Sequence, residues 1–176
     1  MVKGKGARDK GSRAERKWRD ELRRIYPTEL RKNVQRIPMS GAGYIKGDVA
    51  DNNDPDSCYE VKNQERLNIP DWWRQAVSQA GSTRTPILVF TQNYAPFYVI
   101  MRLKDWEPLR EGCFRGFMYN KLNEVNTSSK IFRDMAELED FAVGQIEIDG
   151  STLVVVPSEL YIDIKRSVYE NNLDKR

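Results

Sequence analysis

The sequence has no histidine and only two cysteines, Cys58 and Cys113, in 176 residues. A zinc site built on imidazole or on a thiolate cluster is thereby excluded. Histidine general-base chemistry and Ser-His-Asp triads are excluded with it. No apolar run approaches the roughly 18 residues that a membrane-spanning helix needs. The basic N-terminus, MVKGKGARDKGSR, is not followed by the apolar core of a signal peptide, so the expected location is the cytoplasm. Any catalysis must fall to carboxylates, lysine and a hard, oxygen-seeking cation such as magnesium. The two cysteines read as reduced structural thiols.

Charged residues make up 31% of the chain and hydrophobic ones 39%, a globular balance, and the length suits one domain with a real core. The net charge of +3 is unevenly spread. Residues 1–36 carry 13 Lys or Arg against 5 Asp or Glu, and the remainder of the chain is net acidic. An end so basic suits a polyanion such as nucleic acid, the alternative being a solvated tail.

Residues 1–11 are rich in Gly and Lys and are expected to be a flexible tail. Residues 12–26 predict a helix, with Ala14, Trp18, Leu22 and Ile25 on one stripe, Ser12 and Glu15 as a capping box, and Pro27 as the stop. Short strands are expected at 34–37 and at DVAD, the second forming a hairpin with SCYEVKNQ across the turn-rich NNDPD. IPDWWRQAVSQAG predicts a helix ending at Gly81, with Trp73, Ala76, Val77 and Ala80 on its apolar face. Trp72 and Trp73 suit base stacking, although a Trp at helical spacing is more often core, the favoured reading for Trp73 and the reading for Trp18. TPILVFTQ is an uninterrupted apolar strand of the kind buried on both faces, and APFYVIMRL is another. Beyond residue 111 the pattern thins. A short helix is expected within KIFRDMAELEDFA, a hairpin around Asp149-Gly150-Ser151, and a closing helix capped by Ser158. The resulting fold class is α/β, a mixed sheet flanked by helices with a C-terminal hairpin and helix as an extension. The expected boundaries are 1–11, 12–110 and 111–176, the last packed on the same domain.

One stretch of the second hairpin strand, YEVKN, places an acid and a base two residues apart, hence on one face of a strand. Asp48, after Gly47, opens the preceding strand. A hairpin would bring the Asp48 and Glu60 carboxylates to one point, where they repel unless a cation lies between them. Magnesium fits that position. Lys62 then reaches an attacking water or a phosphate and stabilises the charge that builds there. Glu15 flanks the Trp18–Leu22 stripe and suits either the capping box or the site. Lys10 and Lys46 either meet phosphate or are simply solvated, and Tyr44 is an open case. DNNDPD lacks calcium-loop spacing and reads as a plain turn.

Taken in order, KGSRAERKWRDEL, RIPMSGAGYIKGDV, YEVKN and WWRQAVSQAG leading into TPILVF resemble the PD-(D/E)XK nuclease superfamily. Within it the resemblance is strongest to archaeal and phage Holliday-junction resolvases, and it covers about residues 10–110. It implies a restriction-endonuclease-like core and hydrolysis of DNA phosphodiesters with Mg2+, or Mn2+ in its place. Asp48, Glu60 and the Val61 carbonyl would hold the metal. Gly47 stands where the family name has proline. Glu15, Lys62 and a glutamine of the following helix, Gln79 in preference to Gln75, would complete the catalytic set. Lys10, Arg13, Arg36, Ser40 and Lys46 would lie against the DNA backbone. The resemblance also implies a homodimer acting on four-way junctions, in the host cytoplasm if the chain is phage-encoded. The alternatives are a nuclease of this fold for linear duplex or other DNA, and a non-catalytic DNA-binding module.

Overall fold

Ala14, Trp18 and Leu22 are buried, at most 2% exposed, along one side of a helix α1 (Lys3–Arg23), and Ile25, expected on the same helical stripe, is buried in the turn just after it. The computed structural model describes residues 3–38, 46–93, 95–111, 118–122, 130–138 and 142–174. The helix begins at Lys3, well before the expected start at Ser12. Ser12 is therefore not a cap, and its hydroxyl accepts instead from Arg36 Nη2 at 2.9 Å.

Strands β1 (Val34–Arg36) and β2 (Val49–Asp51) pair antiparallel, and β2 pairs antiparallel with β3 (Ser57–Asn63), forming the expected hairpin. Helix α2 (Ile69–Ala80) follows. Asn68 caps it by accepting from the Asp71 amide at 3.5 Å, and Gly81 stops it at φ 66. Helix α2 crosses over to β4 (Thr85–Thr91), which runs parallel to β3, the connection a parallel pair requires. Strand β5 (Tyr98–Arg102) returns antiparallel to β4 and leads into α3 (Leu103–Arg110).

After α3 come β6 (Met118–Lys121), α4 (Lys130–Ala136), β7 (Ala142–Ile148), β8 (Ser151–Pro157) and α5 (Ser158–Leu173). The two-residue turn Asp149-Gly150, with φ 50 and 74, joins β7 to β8, the left-handed pair that a tight hairpin demands. No side-chain cap opens α5. The Ser158 amide donates to the Phe97 carbonyl at 3.1 Å, so the expected Ser158 cap is replaced by a tertiary bond. The eight strands among the described residues form one mixed sheet in the order β1-β2-β3-β4-β5-β8-β7-β6.

Alternation along the strands splits the core between two faces. Tyr59, Val61, Ile87, Val89, Val154 and Val156 pack toward Trp18, Trp106 and Tyr161 of α1, α3 and α5. Leu88, Phe90, Ile100, Leu153 and Val155 pack toward α2 and α4. Trp72 and Trp73 both lie in this second core, 6% and 3% exposed, which leaves neither ring free to stack on bases.

Candidate active site

Gly47 sets the position of Asp48. Its φ of 108 belongs to the region that favours glycine, and a Cβ there would lie 3.1 Å from the Tyr59 carbonyl oxygen. With that turn made, the Asp48 amide donates to Tyr59 O at 2.8 Å and its carbonyl accepts from Ile37 N at 2.9 Å. The side chain continues the pairing, since Asp48 Oδ2 accepts from Val61 N at 2.8 Å. The carboxylate is thus anchored to the strand that carries Glu60.

Glu60 belongs to the sheet face that carries α2, opposite in register to Leu88 of β4. It is 1% exposed, and its Oε2 has no hydrogen-bond partner. Burial, and then the nearby Asp48 charge, push its pKa up to about 7, against the opposing effects of Lys62 and of the Gln79 amide. Lys62 Nζ lies 2.5 Å from Glu60 Oε1 and donates to Gln75 Oε1 at 2.9 Å. Both glutamines of α2 therefore approach the pair from above, Gln75 through Lys62 and Gln79 through Glu60. Glu60 Oε2 and Gln79 Oε1, both acceptors, remain buried without a hydrogen-bond partner.

These residues open on a cleft of about 710 Å³ lined by Glu15, Asp48, Glu60, Val61, Lys62 and Gln75 among others. Among the described residues no three acidic or cysteine side chains converge closely enough to hold a metal by themselves. Two carboxylates and a neighbouring backbone carbonyl nevertheless suit magnesium, which takes one or two carboxylates and keeps the rest of its shell for water and phosphate. Glu60 Oε2 is buried in this cleft without a hydrogen-bonding partner, where a cation would satisfy it.

The family described as "Phage putative PDDEXK endonuclease" matches residues 6–147. The chain belongs to this family. The match spans the cleft, the whole of β1 to β5 and most of the sheet beyond, so the PDDEXK chain carries a nuclease fold over most of its length. No curated protein matches it, and no solved structure does.

Other residues of the PDDEXK chain fall less simply. Glu15 lines the cleft but is ion-paired with Arg36. Arg36 is thus engaged by Glu15 and Ser12 and stays partly exposed. Lys10 reaches the same cleft, with Nζ 3.6 Å from Glu65 Oε1, while Arg13 lies in the adjoining one. Lys46 is exposed just before Gly47. Ser40 and Tyr44 lie outside the described residues, as does Cys113; Cys58 is buried with a free thiol.

Sequence reasoning missed Arg84. Its guanidinium bonds the Lys46 carbonyl at 3.0 Å and the Gln79 carbonyl at 2.7 Å, tying the end of α2 to the segment that presents Asp48. The stretch GSTRT reads as a polar turn, and nothing local in it announces that role. Gln75 was the less favoured glutamine, yet it meets Lys62 directly because it stands one helical turn before Gln79 on the same side of α2.

Proposed function

We propose that the protein is a magnesium-dependent DNA endonuclease whose preferred substrate is a four-way junction. The observation that carries this reading is the pairing of Asp48 with a fully buried Glu60 beside Lys62, in one open cleft. Buried like charges raise the free energy of the fold, and a cation bound between them relieves that penalty.

Asp48, Glu60 and the Val61 carbonyl would hold the metal, with manganese able to replace magnesium. A metal bound there polarises the phosphate and makes water a stronger nucleophile at neutral pH. Lys62 brings its ammonium to the charge that develops on the phosphoryl oxygens or orients the attacking water, and Gln75 and Gln79 hold Lys62 and Glu60 in place. Glu15 adds a carboxylate at the wall of the cleft, with Arg36 setting its orientation. Lys10, Arg13, Arg36, Ser40 and Lys46 supply the backbone contacts. None of these contacts reads base edges, so selection rests on DNA shape. A homodimer would offer two clefts to two strands of one junction, related by the same twofold axis.

One experiment tests both levels. Labelled four-way junction and a matched linear duplex are incubated with wild type, Glu60→Gln and Lys62→Ala, in magnesium and in excess chelator. Wild type should cut the junction only with metal, and both variants should lose cutting by at least about 100-fold while still binding DNA. Full activity in either variant or in chelator rules out the mechanism. Equal cutting of linear duplex by a particle with the 20.5 kDa mass of one chain rules out the junction-resolving dimer and leaves a general nuclease.

A further inference from the structure

A second cleft of about 600 Å³ opens beside the first, sharing Gly6, Lys10 and Asn63 with it. One wall is α1, which contributes Lys10, Arg13 and Lys17 at i, i+3 and i+7, the spacing of one helix face. The other wall comes from the ends of β3 and β4, with Asn63, Gln92 and Asn93.

Two independent features mark it as a binding surface. Arg13 and Lys17 have no acidic partner among the described residues, whereas Arg19, Arg23 and Arg24 farther along the same helix are all ion-paired. Asn63, at the seam between the two clefts, has a buried Oδ1 with no hydrogen-bond partner. Buried amide oxygens are normally satisfied, so this one awaits a donor.

We infer that this second cleft is the track for the DNA strand as it leaves the candidate active site, with Arg13 and Lys17 on phosphates of that strand and Asn63 on the nucleotide next to the scissile bond. The inference rests on the nuclease reading above and adds the course of the strand. Seven residues of helix at about 1.5 Å rise separate Lys10 from Lys17 by about 10 Å, the axial length of about three phosphates of one strand at about 3.4 Å each. Asn63 offers both an acceptor and a donor, which suits a base edge or sugar better than it suits a bare phosphate.

The test uses the full chain carrying Glu60→Gln, so that binding is read without cutting, and a labelled linear duplex titrated at several salt concentrations. Adding Arg13→Gln and Lys17→Gln together should lower the log-log salt slope by about two, one per lost phosphate contact. Lys104→Gln with Arg133→Gln, two cations outside both clefts, should leave the slope unchanged. An equal fall in both pairs would assign the effect to the general field of the protein and overturn the track. Asn63→Ala removes an unpaired buried acceptor, so it should keep or raise the melting temperature while weakening binding several-fold. A lowered melting temperature with unchanged binding would place Asn63 in the fold alone. The two readings fail separately. Wild type that neither binds nor cuts DNA defeats the nuclease reading, whereas wild type that cuts, with an unchanged slope in the Arg13/Lys17 variant, defeats only the track.

Discussion

Replacing Glu60 by glutamine should stabilise the metal-free protein, and only above acidic pH. Burial and Asp48 raise the Glu60 carboxyl from its ordinary 4.5 to about 7. Between those values the folded chain retains a proton that the unfolded chain has released. Stability therefore falls as pH rises across that window and levels off above it. The gap corresponds to about 3 kcal/mol. Glutamine removes that penalty but gives up the 2.5 Å contact with Lys62, whose remaining partner is Gln75. A net gain of about 1–3 kcal/mol is then expected at pH about 8, and almost none at pH about 5. Urea unfolding in chelator at both pH values measures it, and the dependence of stability on denaturant should be the same in both proteins. Magnesium should narrow the difference at the higher pH, because ligand binding stabilises only the protein that binds it. A variant less stable than wild type at pH about 8, or a difference independent of pH, would refute the account of Glu60 as a carboxylate held at a cost to the fold.

Tyr26→Phe should lower stability by about 1–3 kcal/mol in thermal melts, because the Tyr26 hydroxyl donates at 2.7 Å to Asp51, a carboxylate only 2% exposed that would lose this donor. A loss below about 0.3 kcal/mol would mean that water or Lys165 replaces the donor. Gly144→Ala should lower stability by about 1–3 kcal/mol, since a Cβ there would lie 2.5 Å from Leu122 Cδ1 and 2.8 Å from Met135 Sδ. An unchanged melting temperature would show that both side chains move aside freely.

The elements that build the candidate site could be read from local periodicity. YEVKN, the DWWRQAVSQAG face and TPILVF each bury a pattern of their own length, and their pairing needs only a hairpin and one crossover. What escaped the sequence depends on distant partners. Ser12 and Ser158 carry good capping signals, yet Arg36 engages one and the Phe97 carbonyl the other. Strand β6 has the half-exposed pattern of an edge, with too little alternation to distinguish it from a loop. The pairing of Arg36 with Glu15 spans 21 residues, and no local pattern encodes it.

The last hairpin does not simply extend the sheet outward. Strand β8 enters between β5 and β7, so β5 waits for a neighbour that the ribosome makes more than 40 residues later. A nascent chain that has already delivered Asp48, Glu60 and Lys62 still exposes a raw β5 edge, able to pair with another copy. Frameshifts or nicks after α4 would strand the molecule in that state, with its cleft residues made and its sheet open. The piece of the chain that looks most dispensable for chemistry is the one on which escape from aggregation depends.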